Sequence, residues 1–139
     1  MDTSADVIKD LVGFLKTGND DVVGAVLSLT YSKEDCVKLV DAGAISSLCE
    51  LINNERVGDG SVSALVNITA ELPESIEAAV ESDVFARVLQ VIFSKNPCLY
   101  KDKCLMLLIN LTSTEAGAKK LAQVDDPSLK GLWVRQLLR

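Results

Sequence analysis

Histidine is absent from the sequence. Its absence removes the commonest general base, the usual partner of a nucleophilic serine or cysteine, and the commonest zinc ligand. Aromatic residues make up only 4% of the 139 residues, and there are just 3 prolines and 8 glycines. With an apolar set that is mostly Leu, Val, Ile and Ala, collagen-like, mucin-like and disordered classes are thereby excluded. Long hydrophobic runs are missing too. The longest, Cys104 to Ile109, is far shorter than the roughly 20 residues a bilayer-spanning helix needs. The opening residues, Met1 to Asp6, are acidic and lack the apolar stretch of a secretory leader. Cys36, Cys49, Cys98 and Cys104 form no C-x-x-C pair, so a zinc site would need all four. Buried, reduced thiols in a cytoplasmic protein are the expectation, with no metal and no cofactor.

Apolar residues, mostly Leu, Val, Ile and Ala, make up 48% of the chain and charged residues 24%. That suffices for one sizeable core and a single domain. Charge is unevenly spread: 5 basic residues stand against 16 acidic in residues 1–83, a net −11, and 9 against 4 in residues 84–139, a net +5. The acidic front half repels phosphate backbones, which argues against nucleic acid as a partner. Carboxylates are plentiful, but on amphipathic helices they form the solvated face, and none can be singled out as an acid–base pair. Gly58-Asp59-Gly60-Ser61 lacks the third glycine and preceding strand of a dinucleotide loop.

A phrase recurs. Val26-Leu27-Ser28-Leu29-Thr30, Leu65-Val66-Asn67-Ile68-Thr69 and Leu108-Ile109-Asn110-Leu111-Thr112 share one pattern, and their central polar residues lie 39 and 43 residues apart. A second phrase ends on Leu39, Val80 and Leu121, with steps of 41 and 41. Within each unit the apolar spacing is helical: Ile8, Leu11, Val12 and Leu15; Ile45, Leu48, Leu51 and Ile52; Val84, Val88, Val91 and Ile92. Repeats of about 40–47 residues built from helices are the mark of armadillo and HEAT arrays. The pattern predicts an all-α, right-handed solenoid of about three and a half units: 1–31, 32–72, 73–113 and 114–139. Helices are expected near 4–17, 19–31, 33–42, 44–54, 58–71, 74–82, 84–95 and 98–112. A fourth unit opens near 115, with a second helix from about Ser128 to Arg139. Gly18 and Gly43 fall at helix stops, and Asn96-Pro97 and Asp126-Pro127 at helix starts. Thr112-Ser113-Thr114-Glu115 fits a capping box. Cys104–Leu111, apolar nearly all round, should be clasped between neighbouring units.

The stretch Val40-Asp41-Ala42-Gly43-Ala44-Ile45-Ser46-Ser47-Leu48-Cys49-Glu50-Leu51-Ile52, followed by Ser63-Ala64-Leu65-Val66-Asn67-Ile68-Thr69-Ala70, resembles the armadillo phrase x-x-x-G-A-I-x-x-L-x-x-L-L…A-L-x-N-L-A. Unit three keeps the second half, but Asp83-Val84-Phe85 replaces the Gly-Ala-Ile turn. Unit one carries Ser28 in place of the asparagine. The resemblance implies that the third helix of each unit lines a groove, where its asparagine bonds the backbone of an extended peptide. Asn67 and Asn110 take that role by position. Ser63 and Met106 lie four residues before them, and Lys103 lies one turn beyond Met106 on the same face. Importins carry tryptophan where Ser63 and Met106 stand, so capture of a nuclear signal is disfavoured. An amide can satisfy a peptide N–H and C=O together; alternatively, it bonds a neighbouring helix and tightens the stack.

Residues 64–69 and 103–112 also resemble a eukaryotic cytosolic armadillo family that assists folding of translation elongation factor two. Its members are longer, so this chain would match their amino-terminal part. The resemblance implies a non-catalytic co-chaperone or adaptor holding a client protein or peptide. A structural or oligomerising scaffold is the alternative, with a homodimer or a continuing chain meeting the C-terminal edge.

Overall fold

In a computed structural model, residues 4–94 and 100–123 are described. The expected starts at Asn96-Pro97 and Asp126-Pro127, residue Cys98 and the second helix of unit four lie outside them. Among the described residues nine α-helices follow in order: α1 (Ala5–Gly13), α2 (Asp20–Leu29), α3 (Lys33–Asp41), α4 (Ala44–Glu50), α5 (Gly58–Glu71), α6 (Ile76–Glu81), α7 (Val84–Ile92), α8 (Lys101–Leu111) and α9 (Glu115–Ala122). No strand occurs among the described residues.

Side-chain caps set four of the helix starts. Ser4, Asn19, Ser32 and Thr114 each accept a backbone N–H from the first turn of α1, α2, α3 and α9. The cap of α9 is thus Thr114, not the Thr112 of the expected capping box. Thr112 Oγ1 is instead turned back onto the Leu108 carbonyl, 2.8 Å away. The first helix is also shorter than its periodicity predicts: it tightens into a 3-10 turn over Phe14–Thr17 and stops on Gly18, at φ 66°. α4 ends at Glu50 because Asn54 Oδ1 accepts the Arg56 and Val57 amides and folds the chain toward α5.

The helices stack by translation. The third helices α2, α5 and α8 pack in series, and each middle helix, α1 or α4, packs on the first helix of the next unit, α3 or α6. Fully buried Ile8, Leu15, Leu39, Leu48, Ile52, Leu65, Ile68, Leu89, Leu107 and Leu111 form one continuous core through the units, each contributing about 1.5–3 kcal/mol by burial. Gly60 permits the α2–α5 approach, since a Cβ there would meet Val23 Cγ1 at 2.9 Å. Across the middle helices, Asn53 Nδ2 donates to the Arg87 carbonyl at 2.9 Å.

One expectation for α8 fails. Cys104, Leu107 and Leu111 are buried, but Leu105, Met106 and Ile109 are exposed. Among the described residues the helix is covered on the side of α5 and α7, while Leu105, Met106 and Ile109 stay exposed on the other, so its all-round apolar pattern is not matched by all-round burial.

Candidate protein-binding face

The third helices present Asp59, Ser63 and Asn67 from α5 and Lys103, Met106 and Asn110 from α8. These rows arise from steps of four and eight residues on α5 and of three and seven on α8, on adjacent parallel elements. All five residues expected from the sequence fall on this helix ladder, and their environments differ.

Asn67 Nδ2 donates to Thr30 Oγ1 of α2's C-cap at 2.9 Å. That hydroxyl donates its own proton to the Leu27 carbonyl at 2.6 Å, so it accepts from the amide and fixes which way the amide faces. Asn110 Nδ2 donates to the Val66 carbonyl at 3.0 Å and to Thr69 Oγ1 at 3.1 Å. A carbonyl only accepts, so this orientation is fixed as well. The amides therefore tie each third helix to the preceding one. The triplets form a relay: Asn67 reaches back to Thr30, and Asn110 reaches back to Thr69. Ser28 stands outside the relay, its hydroxyl bonded to Gly24 of its own helix at 3.0 Å.

What remains available follows by counting donors and acceptors. Asn67 keeps one N–H and its Oδ1; Asn110 has both N–H groups engaged and keeps only Oδ1. The two amides are thus unequal, which their identical sequence context does not predict. Lys103 Nζ forms an ion pair with Asp59 across the α5–α8 seam, so it is not a free cation. With both groups partly exposed, the pair contributes at most about 1 kcal/mol. Ser63 is half-buried and its hydroxyl has no partner among the described residues; Met106 is exposed. The acceptors Thr30 and Thr69 and the partner Asp59 were missed from sequence, although the recurring threonine two residues after the amide was the available signal.

The thiols sit away from this chemistry. Cys36, Cys49 and Cys104 are buried and unbridged. Burial raises the Cys36 thiol, aided by the Glu71 and Asp35 carboxylates. The Cys49 thiol is pushed up to about 12 by burial, against the lowering effect of Arg87. Both stay protonated and poorly nucleophilic at neutral pH. Among the described residues no group of three or more Cys, Asp or Glu is placed to hold a metal, and no helix is long and apolar enough to cross a membrane.

No family model and no curated protein matches the chain. Solved structures do. An engineered protein superposes with a TM-score of 0.74 at 20% identity over 85% of this chain and 30% of that one. A designed armadillo repeat protein in complex with the peptide (KR)4 superposes with a TM-score of 0.73 at 22% identity over 86% of this chain and 53% of that one. This chain therefore spans between about a third and a half of their length. The fold is an α-solenoid of armadillo-like repeats. The narrower likeness to the family that folds an elongation factor finds no support in these comparisons.

Proposed function

We propose that the chain is a non-catalytic binding module that holds an extended segment of another protein along the face of α2, α5 and α8. The observation that carries this reading is the pair of Oδ1 atoms at Asn67 and Asn110. Each is turned out by an amide nitrogen pinned to the preceding helix, and neither has a partner among the described residues. Asn67 pairs with both an N–H and a C=O of the segment; Asn110 accepts only. Met106 and Ser63 offer an apolar and a hydroxyl contact beside them, and Lys103 acts through its pair with Asp59. A preformed, inward-anchored amide binds with little ordering cost. The buried protonated thiols suit a reducing, cytoplasmic setting. Co-chaperone work on a translation elongation factor is a narrower form of the proposal, supported by the wording of residues 64–69 and 103–112 alone.

The test separates binding from stack stability. Extended peptides selected by display against the wild-type chain are titrated against two double variants. Asn67→Ala with Asn110→Ala removes both the ties and the outward oxygens; Thr30→Val with Thr69→Val removes hydroxyl acceptors but leaves the oxygens. Both should lose roughly 1 kcal/mol of stability per site. Only the asparagine variant should lose at least tenfold in affinity. Equal losses of affinity in the two variants, or no selectable peptide, would sink the proposal.

A further inference from the structure

The three helices that line the proposed face carry few charges, and those charges are unevenly placed. α2 holds Asp20 and Asp21 and no basic residue; α5 holds Asp59 and Glu71 and no basic residue; α8 holds Lys101, Asp102 and Lys103. Both lysines are engaged. Lys103 pairs with Asp59 across the α5–α8 seam, and Lys101 Nζ donates to the Ser94 carbonyl at 2.9 Å. Asp20 and Asp21 are exposed, and among the described residues no cation pairs with either; Lys16 and Arg56, in the segments before α2 and α5, form no ion pair with them. Acidic residues in a first turn complement the helix macrodipole, which accounts for their place on α2. It does not account for the missing counter-charge, because the last turns of α2, α5 and α8 carry no basic residue. The α2 end of the face is therefore anionic, whereas at the α8 end Lys101, Asp102 and Lys103 balance with Asp59.

Room on the face changes in the same direction. Gly24, Ser63 and Met106 occupy one register position by the steps of 39 and 43. At Gly24 there is no side chain, and a Cβ placed there would have nothing within 4 Å. At Met106 a thioether stands in the face, 51% exposed. A long cationic side chain suits the first place, since its stem can lie over Gly24 while its head meets Asp20 and Asp21 one turn away. An aliphatic side chain suits the second, against the polarisable thioether and between balanced charges.

We infer that the segment held along this face is basic at the end that lies over α2, with Lys or Arg crossing Gly24 toward Asp20 and Asp21, and aliphatic at the end that lies over α8, against Met106. The inference rests on the peptide-binding reading and deepens it. Asn67 and Asn110 hold backbone and accept any sequence; Gly24, the two carboxylates and Met106 select side chains and fix which end of the segment meets which helix. Complementary charge of this exposed kind sets orientation and rate of encounter more than affinity.

The probes are random octapeptides displayed on phage and selected against the full chain. Recovered peptides should carry Lys or Arg toward one end and Leu, Ile or Met toward the other. For a synthetic copy of one of them, Asp20→Asn with Asp21→Asn in the protein should lower affinity about tenfold at low salt and flatten its salt dependence. A copy whose basic residues are replaced by Gln should bind that variant and the wild type within about twofold of each other. Gly24→Leu should raise the melting temperature, as leucine for glycine in an exposed helix does, yet weaken the basic copy by about fivefold or more. A glycine kept only for the fold would not separate the two readouts. Met106→Ser should cost about fivefold, and nothing when the aliphatic residue of the peptide is also Ser. Recovered peptides lacking the basic end, or indifference to the Asp20/Asp21 and Gly24 variants, would overturn the inference and leave the binding reading standing, as long as the asparagine double variant still loses affinity. Failure to recover any peptide would remove both.

Discussion

The two ends of the helix ladder share a backbone plan and differ in their side chains. The outward edge of α2 carries Asp21, Ala25 and Ser28, all exposed, with the serine hydroxyl closed onto Gly24. The outward edge of α8 carries Leu105 and Ile109 with Asp102 and Thr112. The first surface carries small and polar groups; the second keeps the apolar chemistry found at the repeat interfaces inside the stack. Repetition sets where a helix lies, but the residues at a handful of register positions decide what surface it presents.

The turns that leave these helices sharpen the contrast. Ser32 and Thr114 cap α3 and α9, each three residues beyond the corresponding helix ends Leu29 and Leu111. Three residues into the new helix stand Asp35 and Gly117. Asp35 is accommodated; a Cβ on Gly117 would collide with the Leu111 carbonyl oxygen, because α9 sits down on the end of α8. Gly117→Ala should therefore undock α9. We expect a local loss of about 2–3 kcal/mol, read as a 30- to 100-fold fall in amide-exchange protection over residues 115–122. Asp35→Ala should change protection in α3 by no more than a few-fold. Equal effects at the two turns would mean that α9 is not seated on the carbonyl.

The edges themselves give the next largest effect. Val62 on α5 and Leu105 on α8 occupy one register position, as do Val66 and Ile109, yet among the described residues only the α5 pair has a neighbour stacked over it. Val62→Ala removes two methyl groups from a closed interface and should cost about 2 kcal/mol in denaturant unfolding. Ile109→Ala, on a surface, should stay within about 0.5 kcal/mol. A large cost at Ile109 would show its side chain to be covered in solution.

Most of the fold was legible because its strongest signal is periodic. The spacing of Ser28, Asn67 and Asn110 gave the register of the third helices, and α5 runs over the residues expected, 58–71. The candidate face was legible as positions but not as bonds. The amide ties join residues 37 and 41 apart, and periodicity states that two helices are adjacent without saying which way an amide turns between them. The same holds for Lys103, whose partner Asp59 lies 44 residues away. Helix ends were blurred for a local reason: Asn54 and the 3-10 turns at Phe14–Thr17 and Pro73–Ser75 redirect the backbone while the apolar spacing continues.

The smallest predicted effect concerns a place where sequence and backbone disagree. Units two and three both enter their middle helix through a left-handed residue: Gly43 at φ 84° before α4 and Asp83 at φ 59° before α7. The armadillo-like Gly-Ala-Ile wording is lost in unit three, but the turn it encodes is kept. Asp83 is the only non-glycine residue at positive φ among those described. Its Cβ crowds the following backbone there, a cost that glycine avoids. Asp83→Gly should therefore stabilise the chain by about 0.5–1 kcal/mol despite loosening the unfolded state, and Gly43→Asp should destabilise it by a similar amount. Thermal melts of the two single variants and of the double exchange measure this. Because the sites belong to different units, the double variant should fall close to the wild type. If Asp83→Gly melts lower instead, the carboxylate at the head of α7 contributes more than the left-handed backbone costs.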